Sequence, residues 1–63
     1  MPEPGLVVRI YGKDKSEIDV QFRERTVTAR NLIKDIKVGD YVILNDTLVI
    51  QRLSEKEAER MMR

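Results

Sequence analysis

The fold is decided by residues 17–22, which read EIDVQF and alternate polar with apolar residues without a break. Successive side chains of a β-strand point to opposite faces, so Ile18, Val20 and Phe22 share one face. This alternation predicts a strand with one buried and one solvated side. Because Phe22 is in phase with Ile18 and Val20, we expect its ring in the core rather than on the surface.

Similar runs on either side of this segment predict four further strands. Each is rich in β-branched or aromatic residues and is bounded by polar turn residues, which gives strands at 6–11, 17–22, 25–29, 41–44 and 47–52. In the first strand Leu6, Val8 and Ile10 are expected to share a face. The last two strands form a hairpin with two apolar faces, one made of Val42, Leu44, Leu48 and Ile50 and the other of Ile43 and Val49. Something must cover the second face.

A helix over residues 55–62 is predicted to supply this cover. Ser54 and Glu57 have the spacing of a capping box, which marks a helix start. A helix this short does not persist alone in water, so Ala58, Met61 and Met62 must pack on the barrel or on a partner. A second, shorter helical turn over residues 32–36, capped by Asn31, is expected to plug one end of the barrel.

These elements together indicate the fold class. Short strands separated by polar turns, followed by a short helix, are typical of an all-β protein. The sequence therefore predicts a small five-stranded OB-like barrel with a short C-terminal α-helix. A chain of 63 residues has room for one domain, which we place over residues 1–63.

Composition excludes several classes of function. The chain has no cysteine and no histidine, which removes thiol nucleophiles, disulfides and the usual ligands of zinc and redox metals. The carboxylates fall in turns or on solvated faces and form no convergent acid–base pair. We therefore expect no enzymatic activity, no catalytic residues, no metal site and no cofactor. The charged fraction of 37% resembles that of heat-adapted proteins.

The charge balance and the chain start bear on partners and location. With 12 basic and 11 acidic residues the chain lacks the basic excess of most phosphate-binding proteins. No apolar stretch approaches the roughly 20 residues that cross a bilayer, and the start MPEP lacks signal-peptide features. We expect a cytoplasmic protein that does not bind membranes and that acts through a protein partner.

A nucleic-acid alternative stays open at this point. Arg9, Tyr11, Arg23 and Arg25 combine positive charge with an aromatic ring, as in single-strand binders that stack bases in a basic groove. The pattern predicts a small nucleic-acid-binding barrel that uses these four residues.

Two longer stretches carry a family resemblance. Residues 35–44 read DIKVGDYVIL and residues 49–58 read VIQRLSEKEA. Together with Pro4-Gly5 before the first strand and the IDVQF strand, they resemble the HypC/HupF family of hydrogenase-assembly chaperones over nearly the whole chain. Within these stretches, the VGDYV turn alone is common in unrelated barrels, where its glycine and aspartate shape the turn.

The resemblance implies a scaffold that docks on a hydrogenase large-subunit precursor and on an iron-assembling partner. It also implies an iron–cyanide–carbonyl unit carried by a cysteine directly after the initiator methionine. Here that position is Pro2, and Asn45-Asp46-Thr47 stands where the family has a histidine and then a glycine. Arg23-Glu24 replaces the family's paired glycines. None of the family's metal-related residues is carried over.

The sequence thus favours a HypC-like protein-interaction scaffold or chaperone, accessory to metalloenzyme (hydrogenase) maturation and lacking the iron-carrying cysteine. The expected partner is a metalloenzyme precursor or an assembly factor. We expect the partner-binding surface at the chain start, on the hairpin and at the helix end, on Pro4, Gly5, Val7, Arg9, Val49, Met61 and Met62.

Overall fold

A computed structural model describes residues 3–63 as five strands and one helix. The elements are β1 (Gly5–Tyr11), β2 (Glu17–Gln21), β3 (Thr26–Arg30), β4 (Tyr41–Asn45), β5 (Leu48–Leu53) and α1 (Glu55–Met61). The strands close a barrel in the order β1-β2-β3-β5-β4. The predicted fold class is confirmed, and the ends of the elements lie within one residue of the predicted positions. Within residues 3–63, no helix is long and apolar enough to cross a membrane.

The interior of the barrel is filled by branched aliphatic side chains. Val7, Ile18, Val20 and Val42 are completely withdrawn from solvent. Phe22 is only 7% exposed and belongs to the same cluster, so its predicted place in the core is confirmed. β-Branched side chains suit this position because they pack well on a pleated sheet.

A β-bulge in β1 changes which of its residues face inward. Val7 pairs with Val20, but the next pair is Arg9 with Asp19, so Val8 is an extra residue in the strand. Val7 is fully buried, Val8 is 41% exposed, and Ile10 packs against the core. The expectation that Leu6, Val8 and Ile10 share a face is therefore wrong, because a bulge shifts the alternation by one residue.

A second irregularity lies in the β4–β5 hairpin. Ile43 pairs with Gln51 and Leu44 pairs with Val49, which leaves Ile50 as the extra residue. Val49 consequently lies in the main core and is only 4% exposed, whereas Ile50 is 53% exposed. The predicted grouping of Val49 with Ile43, and of Leu48 and Ile50 with Val42, is wrong for this reason.

The second apolar face of the hairpin is real but is built from other residues. Ile43 and Leu53 form a separate cluster with Ala58 of α1, and Tyr41 and Met61 pack against it. The helix is thus the cover that the hairpin required. Its capping box is present as predicted, with the Glu57 N–H donating to Ser54 Oγ at 3.1 Å and the Ser54 N–H donating to Glu57 Oε1 at 3.0 Å.

The predicted helical turn over residues 32–36 does not form. The side chain of Asn31 bonds twice to the backbone of Ile33, accepting from its N–H at 3.1 Å and donating to its carbonyl at 2.9 Å. Asp35 takes a φ of 64°, which no right-handed helix contains. Local side-chain bonding of this kind competes with helix formation. Ile36 still closes the core, whereas Leu32 is 69% exposed.

The barrel leaves no room for a side chain at position 5, which is occupied by Gly5. A Cβ at this position would overlap Val20 Cγ1 and would lie 2.9 Å from two ring carbons of Phe22. We expect Gly5→Ala to lower the free energy of unfolding by about 1–3 kcal/mol, the usual cost of overpacking a core. Urea denaturation measures this change.

Val8→Ala is the matched control, since it alters a partly exposed side chain of the same strand. We expect it to change the free energy of unfolding by less than about 1 kcal/mol. A Gly5→Ala variant as stable as the wild type would show that the strands do not approach this closely.

Candidate functional site

A groove lies between the barrel and α1. It has a volume of about 510 Å³. We call it the helix groove; it is lined by Glu3, Pro4, Leu6, Gln21, Phe22, Arg23, Tyr41, Met61 and Met62. The start of β1, the end of β2, the start of β4 and the end of α1 all meet there.

The strand register explains why these ends converge. Leu6 pairs with Gln21 on one side and with Tyr41 on the other, which brings β1, β2 and β4 together at one end of the barrel. Tyr41 also pairs with Leu53, the last residue of β5, and α1 starts two residues later. The helix is therefore held beside the same barrel end.

The floor of the helix groove is apolar and its helix side is adaptable. Pro4 and Phe22 are buried, while Leu6 and Tyr41 are half-buried. Met61 is half-buried and Met62 is 47% exposed. Methionine is unbranched and polarizable, so it adjusts its shape to a contacting surface at little cost. A floor of this kind suits an apolar segment of another protein.

A hydrogen bond between a side chain and the backbone fixes the charged rim of the groove. Glu3 Oε2 accepts from the Arg23 N–H at 3.1 Å, which ties the chain start to the β2–β3 turn. The carboxylate of Glu3 is thereby engaged within the chain. The guanidinium of Arg23 lies on the same rim in an exposed residue.

The structure separates the predicted partner-binding residues into three groups. Pro4, Met61 and Met62 line the helix groove. Gly5, Val7 and Val49 are buried in the barrel, so they offer no surface to a partner. Arg9 lies exposed on the outer face of the sheet, away from the groove lining. Whether any of these residues binds a partner stays a prediction.

Several lining residues escaped the sequence analysis. Leu6 was predicted to share a face with Ile10. The bulge at Val8 places the two residues on different faces, and no glycine or other signal in the sequence marks this bulge. Tyr41 and Gln21 come close only through the β1 register. The one available signal was Phe22, whose ring fills the core and at the same time forms part of the groove floor.

The residues of the nucleic-acid alternative fall into two separate places. The guanidinium carbon of Arg9 lies 5.5 Å from the centroid of the Tyr11 ring. Tyr11 pairs with Glu17 at the start of β2, whereas Arg23 and Arg25 follow the end of that strand. Arg25 stacks on Phe22 instead, at 4.9 Å. The structure does not bring the four residues into one platform.

A carboxylate lies at the centre of the face that carries Arg9 and Tyr11. The Tyr11 hydroxyl donates to Asp19 Oδ2, and Thr28 Oγ1 donates to Asp19 Oδ1 at 3.0 Å. These bonds, that of Tyr11 above all, together with the charge of Arg9, hold the pKa of Asp19 below its ordinary value. An ionised carboxylate here repels a phosphate backbone, so this face is poorly suited to nucleic acid.

Among residues 3–63, no cluster of three or more His, Cys, Asp or Glu side chains is arranged to hold a metal ion.

The comparison with known families gives one match. The model of the HupF/HypC family matches residues 2–63, which is essentially the whole chain. No curated protein matches the sequence significantly.

The bonding of Asp19 predicts a pH dependence of stability. Its pKa is lower in the folded state than in the unfolded chain, so the ionised carboxylate stabilises the fold at neutral pH. This contribution is complete above the unfolded pKa of about 3.9 and is lost as the pH falls through the lower folded pKa. We expect the stability advantage of the wild type over Asp19→Asn to shrink as the pH falls from about 5 to about 2.

Urea denaturation of both proteins across this pH range measures the difference. Asp14 and Glu57 also have lowered pKa values, through bonds to Ser16 and Ser54, and their contributions cancel because both proteins contain them. A difference that stays constant with pH would contradict the assignment.

Proposed function

The chain belongs to the HupF/HypC family, and on that basis we propose that it is a HypC-like protein-interaction scaffold that does not itself carry iron. Members of this family are chaperones that act with protein partners in hydrogenase maturation. The helix groove is the observation that carries the proposal for this chain. It has a volume of about 510 Å³, and its floor is apolar.

The energetics of the groove support docking. Complete burial of a methionine side chain stabilises by about 1.5–3 kcal/mol, so the half-exposed Met62 retains roughly 1 kcal/mol for a complex. Leu6 and Tyr41 beside it are also only half-buried. A partner that covers all three gains part of the free energy that association requires, and its further contacts along the groove must supply the rest.

Iron carriage is the part of the family role that we do not extend to this chain. A soft iron–cyanide–carbonyl unit prefers a thiolate ligand, and none of the 63 residues is a cysteine or a histidine. Residues 45–47, at the end of β4 and in the turn that follows it, offer only amide, carboxylate and hydroxyl groups as side-chain ligands. The scaffold therefore contributes binding and leaves the iron chemistry to other proteins.

We propose a metalloenzyme precursor or an assembly factor as the partner, in the cytoplasm. The hydrogenase large-subunit precursor is the first candidate, since the family acts in hydrogenase maturation.

Met62→Lys tests the groove as the docking site. We expect at least about a tenfold loss of affinity for the hydrogenase large-subunit precursor, because a charge is placed on the apolar docking surface. Lysine near the C-terminal end of α1 is compatible with the helix dipole, so the helix should persist. Isothermal titration calorimetry measures the affinity.

Leu32→Lys is the matched control, because Leu32 is 69% exposed and lies outside the groove lining. Its affinity should stay within about twofold of the wild type. Equal losses in both variants would contradict the groove, and wild-type protein that binds no precursor would contradict the proposed partner.

The iron content of the purified protein tests the proposal that this chain does not itself carry iron. We expect chain purified from cells that also produce the other hydrogenase-assembly proteins to hold far less than one iron atom per molecule. Inductively coupled plasma mass spectrometry measures the metal, with a cysteine-containing family member as the positive control. Near-stoichiometric iron on this chain would overturn the proposal.

A further inference from the structure

The barrel is incompletely closed between β3 and β5. Along its other side β3 pairs with β2 at every residue from Thr26 to Arg30. Towards β5, the pairing within residues 3–63 is limited to Arg30 with Leu48, where the Arg30 N–H donates to the Thr47 carbonyl at 2.7 Å. The first three residues of β3 therefore have a free edge.

The direction of the backbone groups on this edge follows from the register. In an antiparallel pair, alternate residues direct both their N–H and C=O groups to the same side. The Arg30 N–H points to β5, so Thr28 and Thr26 point theirs the same way, away from β2. Among residues 3–63, no backbone or side-chain group bonds to them.

The side chains agree with this assignment. Residue pairs that share no backbone bonds bring their side chains closer together. Thr28 Oγ1 bonds to Asp19 Oδ1 at 3.0 Å, and Thr26 Oγ1 bonds to Gln21 Oε1 at 2.7 Å. Both pairs are thus of the type that leaves the backbone groups free on the outer edge.

A groove runs beside the free edge. It has a volume of about 380 Å³, and we call it the edge groove; its lining includes Phe22, Arg25, Val27, Leu44, Asp46 and Thr47. Phe22, Val27 and Leu44 give it an apolar floor. Thr26 and Thr28 are exposed on the opposite side of the strand, with Arg30 following them.

The free edge is short, but residues 26–28 themselves carry none of the residues that most strongly prevent strand addition. Natural edges are commonly blunted by lysine, proline or a bulge. Residues 26–28 read Thr-Val-Thr, which favours strand pairing, and their register with β2 is regular. An edge of this kind can pair with an added β-strand.

We propose that residues 26–28 bind an extended segment of a partner polypeptide as an added β-strand. Alternate apolar side chains of that segment enter the edge groove, while polar or acidic side chains point outward near Arg25 and Arg30. Three residues span only about 10 Å, which is short for the roughly 1,000 Å² of a stable interface between folded copies, so a short segment that binds transiently fits this edge better than a second copy of this chain. The edge groove shares Glu3 and Phe22 with the helix groove, but none of residues 26–28 lines the helix groove.

The probe is an acetylated, amidated peptide with the sequence EIDVQF, which copies residues 17–22 and has the required alternation of apolar and polar side chains. The effect of the peptide is measured as the rate of amide hydrogen exchange, observed by NMR. At saturating peptide we expect exchange at the Thr26 and Thr28 amides to slow at least about tenfold. The Val27 amide, which already faces β2, should change little.

Two N-methylated forms of this peptide test the backbone bonds. Both keep all side chains, and the two forms carry their N-methyl groups on opposite sets of alternate amides. We expect one isomer to lose binding and the other to keep it, because only one set of amides faces β3. On the protein side, Thr28→Pro removes the outward N–H and should weaken binding at least about tenfold, since proline is tolerated on an edge but donates no bond. Thr28→Val keeps the N–H, loses the same hydroxyl, and should bind normally.

Several results would overturn the proposal. These are unchanged exchange at Thr26 and Thr28, equal binding of the two N-methylated isomers, and peptide-induced shifts confined to the helix groove. Concentration-dependent dimerisation by analytical ultracentrifugation that Thr28→Pro abolishes would assign the edge to a second copy. Protection of the same amides by a single-stranded oligonucleotide would assign it to nucleic acid. Because the probe contains no hydrogenase protein, these results are separate from the test of the helix groove.

Discussion

Burial of Val7, Ile18, Val20 and Val42 inside a very small barrel is the constraint on which the rest of the structure depends. All four are fully withdrawn from solvent. Each contributes about 1.5–3 kcal/mol, in a chain whose length leaves only a narrow margin of stability. Room for these side chains requires a glycine at position 5, where a Cβ would meet Val20 and Phe22. It also requires the two bulges that turn Val7 and Val49 inward.

Much of this architecture was predictable from the sequence, because it follows from local signals. The alternation of Ile18, Val20 and Phe22 and the capping box of Ser54 and Glu57 each determine a structure over a few residues. The bulges were not predictable, since neither Val8 nor Ile50 differs in type from an ordinary strand residue. The segment after β3 was mispredicted as helical because Asn31 has two competing uses, as a helix cap or as a turn residue bonded to Ile33.

The candidate sites also contain some residues that local sequence signals indicate and others that they do not. Met61 and Met62 were identified from the apolar side of a helix too short to stand alone. The remaining lining of the helix groove is set by strand register, which a single sequence does not specify across a bulge. The free edge of β3 likewise results from how far β5 diverges after one residue pair, a property of barrel geometry rather than of any motif.

In the proposed function, the protein is a scaffold with its docking surfaces at one end of the barrel. The helix groove and the edge groove share Phe22 and Glu3 and lie on either side of the β2–β3 turn. The outer face of the sheet carries Asp19, whose pKa is held below its ordinary value above all by the bond from Tyr11, and this negative charge disfavours a phosphate on that face. A chain without a thiolate or an imidazole can still hold partners together.

Chemical-shift mapping of the ¹⁵N-labelled chain with the hydrogenase large-subunit precursor tests the central claim, that a binding surface rather than a metal ligand performs the function. The account predicts that the largest shifts fall on amides lining the helix groove, at Leu6, Gln21, Arg23, Tyr41 and Met62. An unchanged spectrum, or shifts confined to the outer face around Arg9, Tyr11 and Asp19, would contradict it.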